Sequence, residues 1–403
     1  MFDYDPTDPH EVGLNADRLA AIPEFYQKHY VDTGKLPCMS TLISRGGEIA
    51  HESFVGATEM GGKQPIGPDT IFRIYSMTKP VTTLAIMMLF EECKLRLEHP
   101  VSRYIPEYKD VKVWAGGTVD QPKLKDPDRE MTILDLITHT SGLTYGFLQQ
   151  DETDAIYRKE KVGHPKQTLQ EMARQMAGLP LAFSPGTEWR YSHSIDTLGA
   201  IVEIITGLEL DEFFRQRIFG PLGMDDTDFW VPEDKVHRLM ACYQKDAQTG
   251  ETTLADPGGA ASKLYAKRPV QLNGGGGLAS TVRDYHRFAL MLLRGGTLDG
   301  ARIISPKTWE FMRQNHLPGG QTMRGMGRSA FTEVMAEGVG FGLGGSVVTD
   351  IVQTRQPGSD GTFSWGGLAS TFFWIDPEEE LIAVQATQLM PSSTYPIRLQ
   401  LQQ

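Results

Sequence analysis

The sequence predicts an α/β (α+β) protein: an antiparallel sheet built from both chain ends and flanked by helices, with an inserted, mostly helical domain. Three observations lead there. Strand-like runs occur early, at residues 41–45 and 48–54, and return in the last third, at 338–348, 370–375 and 380–386. Between about residues 90 and 225, short helical patterns alternate with polar loops. Strands at both ends with helices between them are most simply joined in one sheet interrupted by a helical insertion. This places residues 1–85 and 230–403 in a discontinuous α/β domain and 86–229 in the helical one, with the active site expected in the cleft between them.

Each element has its own reason. Leu19, Ile22, Phe25 and Tyr26 fall at helical spacing within the entry segment 1–30. The first two strand runs flank Gly46-Gly47, the pattern of a two-residue hairpin. After Ser76, Val81, Leu84, Ala85, Met88 and Leu89 form one helical stripe, and Ile86, Met87 and Phe90 fill the other faces. A helix apolar all round is a buried one, and Pro80 suits its first turn. Thr132-Ile133-Leu134-Asp135 and Thr281-Val282-Arg283-Asp284 have the hydroxyl-to-carboxylate spacing of capping boxes. Asp376-Pro377-Glu378-Glu379 turns the chain between the last two strands. Segment 240–275 is rich in loop residues and shows no period.

Composition narrows the function. The 403 residues are 40% hydrophobic, enough for a large core. The net charge is −12 with no basic run, so a phosphate backbone would be repelled and nucleic acid is not an expected partner. The start, Met1-Phe2-Asp3-Tyr4-Asp5-Pro6, is acidic and lacks the basic and apolar regions of a secretory signal. The longest apolar stretch, residues 83–90, falls far short of the roughly 20 residues that span a bilayer. Three distant cysteines, Cys38, Cys93 and Cys242, argue against a disulfide framework and fit a reducing compartment. A cytoplasmic protein without membrane contact is expected. No Cys or His pair has zinc spacing, so a metal site is not expected; no other cofactor is expected either.

Three short segments can carry chemistry. Ser76 and Lys79, in Ser76-Met77-Thr78-Lys79, share one face if a helix begins there. A serine hydroxyl needs a base to become a nucleophile, and a lysine serves only when burial or a neighbouring cation leaves it neutral. Alone the motif is weak, since a chain of this composition carries about one by chance; a solvated lysine beside a helix cap is the plain alternative. The second segment is Tyr191-Ser192-His193, after the turn at Pro185-Gly186. A phenol near an ammonium group has its charged form stabilised and can act as a base, although a lone tyrosine is more often packing. His193 reads either as a pocket residue or as a packed one. The third is Trp365-Gly366-Gly367-Leu368, where two glycines before a strand let a substrate approach the backbone. An amide there could donate to an oxyanion, for about 3–4 kcal/mol of transition-state stabilisation; the alternative is a glycine turn with a packed indole.

Other segments read as structural. Gly274-Gly275-Gly276-Gly277 lacks the strand and acidic partner of a dinucleotide fingerprint and reads as a flexible turn. His139-Thr140-Ser141-Gly142 follows a capped helix and fits a C-terminal turn. Gly-x-Ser-x-Gly, the nucleophile elbow of α/β-hydrolases, does not occur.

Taken in order, the three segments resemble the boxes of the serine β-lactamase and penicillin-binding superfamily. The nearest likeness is to class C β-lactamases and the family VIII carboxylesterases. The likeness runs from about residue 40 to 390, with Ser76-Met77-Thr78-Lys79, Tyr191-Ser192-His193 and Trp365-Gly366-Gly367 in the places of Ser-x-x-Lys, Tyr-x-Asn and Lys-Thr-Gly. Residues 138–143, 221–224 and 275–288 look familiar as well. The resemblance implies a β-lactamase-like fold and an acyl-enzyme on Ser76. Lys79 and Tyr191 would share the proton transfers, and which takes the first proton stays open. The backbone N–H groups of Ser76 and Leu368 would form the oxyanion hole. Tyr75, His193, Trp365, Gly366 and Gly367 would line the substrate pocket, with segments 145–165 and 240–270 as candidate closing loops.

Two departures set the subfamily. Trp365 stands where β-lactamases place a lysine that binds the substrate carboxylate, and an indole cannot replace that charge. His193 replaces the asparagine of the second box. The expected activity is therefore hydrolysis of small carboxylic esters with short acyl chains. Acyl transfer to an alcohol, as in the statin-side-chain acyltransferases, is the alternative. Weak β-lactam hydrolysis follows as a side activity, and a non-catalytic binding role comes last because all three reactive residues are present.

Overall fold

A computed structural model describes residues 4–327 and 336–403; Met1, Phe2 and Asp3 of the acidic start lie outside the described residues. The central sheet has seven antiparallel strands. In chain order these are β1 (Cys38–Arg45), β2 (Glu48–Gly56), β3 (Val339–Phe341), β4 (Ser346–Val348), β5 (Phe363–Gly366), β6 (Phe372–Asp376) and β7 (Leu381–Ala386). Their spatial order is β3-β4-β5-β6-β7-β1-β2. The N-terminal hairpin thus joins the C-terminal strands through β1 and β7, with Leu42 opposite Val384. Gly46 and Gly47 carry φ of 61° and 92° in the tight turn between β1 and β2, a geometry that a residue bearing a Cβ resists.

Strand alternation decides which face each residue covers. Phe373 and Ile375 of β6 point into the main core with Ile382 and Val384 of β7. Tyr285 and Phe288 meet them from helix Val282–Leu293, the Tyr285 ring lying 4.9 Å from that of Phe373. Phe372 and Trp374 point the other way, toward Leu14, Leu19, Ile22 and Leu401. The entry segment contributes helix Ala16–Tyr26 to this second face, and the chain ends in helix Ile397–Gln402. Thr281 caps its helix through the Asp284 amide, and Thr132 forms the reciprocal box with Asp135 that its spacing predicts.

Helix Thr78–Glu91 is buried along nearly its whole length, from Thr78 to Leu89. Each Leu or Ile buried there contributes about 1.5–3 kcal/mol, which seats the preceding turn firmly. Segment 240–275, shapeless in sequence, folds into a hairpin of Cys242–Lys245 with Thr252–Asp256. Among the described residues no helix is long and apolar enough to cross a membrane, and all three cysteines are free thiols.

Candidate active site

Ser76 lies in a single 3-10 turn, Tyr75–Met77, placed just before the buried helix. Tyr75 has φ of 43°, a strained conformation for a bulky residue. The strain persists because the surroundings fix the chain on both sides. Upstream, Gln388 bonds the N–H and C=O of Arg73, whose buried guanidinium pairs with Asp256 and donates to the Met240 carbonyl. Downstream, the Tyr285 hydroxyl donates to the Met77 carbonyl at 2.8 Å.

Lys79 follows on the same face. Its Nζ lies 3.2 Å from Ser76 Oγ and also donates to the Gly275 carbonyl. The side chain is 1% exposed. Burial pushes its pKa down to about 7, partly opposed by the charge of Asp196. An amine in that range is substantially neutral at physiological pH, so it can accept a proton from the hydroxyl beside it.

Tyr191 completes the cluster. Its hydroxyl bonds Ser76, and its ring lies 4.4 Å from Lys79 Nζ. The rings of His139, Tyr145, Trp189 and Trp365 surround it. The sequence leads one to expect a phenol stabilised as its anion. The structure corrects this: burial among these rings pushes the Tyr191 pKa well above the ordinary range, so the hydroxyl is neutral at rest. A neutral phenol beside the Ser76 hydroxyl can donate or relay a proton.

A cavity of about 230 Å³ opens over Ser76. Of the expected wall residues, Tyr75, Trp365, Gly366 and Gly367 line it, together with Tyr191 and the expected oxyanion donor Leu368. Gly367 has to be glycine, because a Cβ there would stand 2.2 Å from the Ile74 carbonyl oxygen. That close approach brings the strand end against the turn that carries Ser76. Leu368 follows in a turn closed by the Ser370 N–H on the Gly367 carbonyl. Its own amide, beside the cavity, enters no backbone bond among the described residues.

His193 does not line the cavity. Its Nδ1 is 2.8 Å from Asp196 Oδ2 and its ring packs edge-on against Tyr145. The carboxylate draws the imidazole behind the wall that it was expected to form. Of the two candidate closing loops, only the first contributes, through Tyr145 and Phe147; residues 240–270 supply no wall. The glycine run is not a flexible turn: Gly275 and Gly276 line the cavity, and Gly275 is held at both its N–H and its carbonyl.

Several site residues escaped the sequence reading. His139 is fully buried against the Tyr191 ring, with Nδ1 on Ser192 and Nε2 without a partner among the described residues. Its pKa lies well below the usual range, from burial and the nearby Lys79 charge. Asp196 carries no motif signal beyond an acid in the first turn of an apolar helix. Asn273, Ser392 and Arg398 also reach the cavity. Arg398 donates to the carbonyls of Gly367 and Thr371 and lies over the Phe372 ring. Among the described residues no cluster of His, Cys, Asp and Glu is arranged to hold a metal ion.

A family model described as Beta-lactamase matches residues 26–402. The chain belongs to the beta-lactamase family. Within the reach of that family, it is 37% identical over 367 residues to Protein Rv1367c of Mycobacterium tuberculosis, covering 89% of this chain and 88% of that one. It is 30% identical to the lovastatin esterase of Penicillium rubens, covering 89% of this chain and 90% of the esterase. EstCE1, a hydrolase with promiscuous acyltransferase activity, shares the beta-lactamase fold with it at a TM-score of 0.79. That match has 27% identity and covers 96% of this chain and 98% of EstCE1.

Proposed function

We propose that the chain is a serine carboxylesterase that cleaves small, short-acyl carboxylic esters through an acyl-enzyme on Ser76. The observation that carries this reading is the buried Lys79 amine, its pKa brought down to about 7 and so about half neutral at that pH, 3.2 Å from the Ser76 hydroxyl that lines an aromatic cavity. Lys79 takes the Ser76 proton as Oγ attacks the acyl carbon. The oxyanion receives the N–H groups of Ser76 and Leu368. Tyr191, neutral at rest, passes its proton to the departing alkoxide as the ester C–O bond breaks, and recovers one from Lys79. Water then enters, gives up a proton to the same pair and attacks the acyl carbon, and Ser76 Oγ takes that proton back as the acid leaves. Both groups act by positioned proton transfer, each worth about a hundred- to ten-thousand-fold in rate.

The cavity takes walls from residues 1–85 and 230–403 on one side and from Tyr145, Phe147 and Tyr191 on the other. We read it as the cleft between an α/β domain and a helical one. The lovastatin esterase likeness supports ester chemistry, and three free thiols fit a reducing, cytoplasmic setting.

The test is turnover of p-nitrophenyl acetate and butyrate by the purified protein and by Ser76→Ala. The reading expects turnover that vanishes in the variant. Turnover that survives the change rejects it.

A second reading, acyl transfer to an alcohol, is favoured by the likeness to EstCE1. It shares the acyl-enzyme and differs in the acceptor. Adding an alcohol to the same assay and measuring transester against free acid separates the two.

A further inference from the structure

One buried carboxylate beside the site has no part in the steps above. Asp196 is 0% exposed, in the first turn of helix Ser194–Thr206. Its Oδ1 accepts the Gly275 N–H at 2.8 Å, and the carbonyl of that same glycine accepts the Lys79 ammonium group. Its Oδ2 is 2.8 Å from His193 Nδ1. The fit is close enough that a Cβ on Gly275 would stand 2.9 Å from the carboxylate. An unbroken chain therefore runs His193–Asp196–Gly275–Lys79.

We propose that Asp196, braced by His193, is a positioning residue that holds the Lys79 amine through the Gly275 peptide and sets its readiness to take the Ser76 proton. The chain acts in two ways. Fixing the Gly275 N–H orients its carbonyl, and the carbonyl aims Nζ at Ser76 Oγ. The carboxylate charge also favours the protonated amine and so offsets part of the burial that favours the neutral one. The titratable groups facing Lys79 are Asp196, His139, Tyr145 and Tyr191. His139, Tyr145 and Tyr191 are held uncharged by burial. Asp196 is thus the group whose charge balances the amine.

This inference rests on the proposed role of Lys79, and its test reads that role without an ester. The rate of Ser76 labelling by a fluorophosphonate probe is followed against pH by mass spectrometry. Asp196→Asn keeps an oxygen for the Gly275 N–H and removes the charge. It should move the acid limb down by about one pH unit, with the plateau within about tenfold. His193→Phe leaves the carboxylate with one partner fewer and should move the limb up by about half a unit. Asp196→Ala, which also frees Gly275, should lower the plateau further, by about a hundredfold. Opposite shifts in Asp196→Asn and His193→Phe are what a merely structural role would not produce. Coincident limbs, or equal losses without a shift, overturn the proposal. If Asp196→Asn does not fold, an unmoved limb in His193→Phe overturns it and an upward shift supports it. Labelling that behaves as described in a protein without ester turnover would sink the esterase reading and leave this one standing. A Ser76 that is never labelled would overturn both.

Discussion

Lys79 Nζ lies 3.2 Å from Ser76 Oγ, a buried amine directly beneath a hydroxyl that faces the cavity. Burial explains why a lysine can be the base here, and it gives the first prediction a sign. The amine works only when neutral, so kcat/KM for an ester should be low in acid and rise with pH through a limb near 7, the value to which burial brings Lys79. An unperturbed lysine would place that limb above pH 10. A pH profile of p-nitrophenyl butyrate hydrolysis checks this.

Removing the amine should act on rate rather than binding. Lys79→Ala is expected to lower kcat by about a hundred- to ten-thousand-fold with little change in KM. Steady-state kinetics at pH 8, with circular dichroism to confirm the fold, measures it.

Tyr191→Phe keeps the ring that His139, Trp189 and Trp365 pack against and removes the hydroxyl that bonds Ser76. A loss of kcat of similar size is expected with almost unchanged thermal stability. The double variant with Lys79→Ala should lose less than the product of the single effects, because the proposed mechanism puts both residues on one proton path.

Much of this was legible in the sequence. The hairpin at Gly46-Gly47 and the strand runs at 370–375 and 380–386 are local signals, but a run apolar at every position from 372 to 375 does not say which way Phe373 and Trp374 face. The spacing of Ser76 and Lys79 is local too. What stayed hidden depends on distant partners. The state of the Tyr191 phenol follows from rings contributed by residues 139, 145 and 365, so its raised pKa could not be read beside it. His193 leaves the wall because of Asp196, and Gly275 gains its role from Lys79, some 196 positions away in the chain. Arg398 sits in a tail whose pattern gave no reason to bring it to the site.

The tryptophan in the third box should make β-lactams poor substrates. Trp365 offers no charge to a substrate carboxylate, and the cation that reaches the cavity, Arg398, is engaged by two carbonyls and the Phe372 ring. Nitrocefin turnover should therefore lie well below p-nitrophenyl butyrate turnover under the same conditions. Comparable kcat/KM values would remove the argument from Trp365.

Stability has its own test upstream of Ser76. Asp256 faces the fully buried Arg73 guanidinium, and their side chains are 5% and 0% exposed. Asp256→Ala leaves that cation without its counter-charge and should cost about 3–5 kcal/mol. Urea denaturation would register it as a lower midpoint. Because Arg73 precedes Ser76 by one short turn, ester turnover should fall as well.

The most direct measurement is intact-protein and peptide mass spectrometry of the enzyme quenched in acid during turnover of p-nitrophenyl butyrate. A mass increase of one butyryl group confined to the peptide bearing Ser76, and absent from Ser76→Ala, is the predicted result. A butyryl group on another residue, or steady hydrolysis with Ser76 never acylated, would contradict the account.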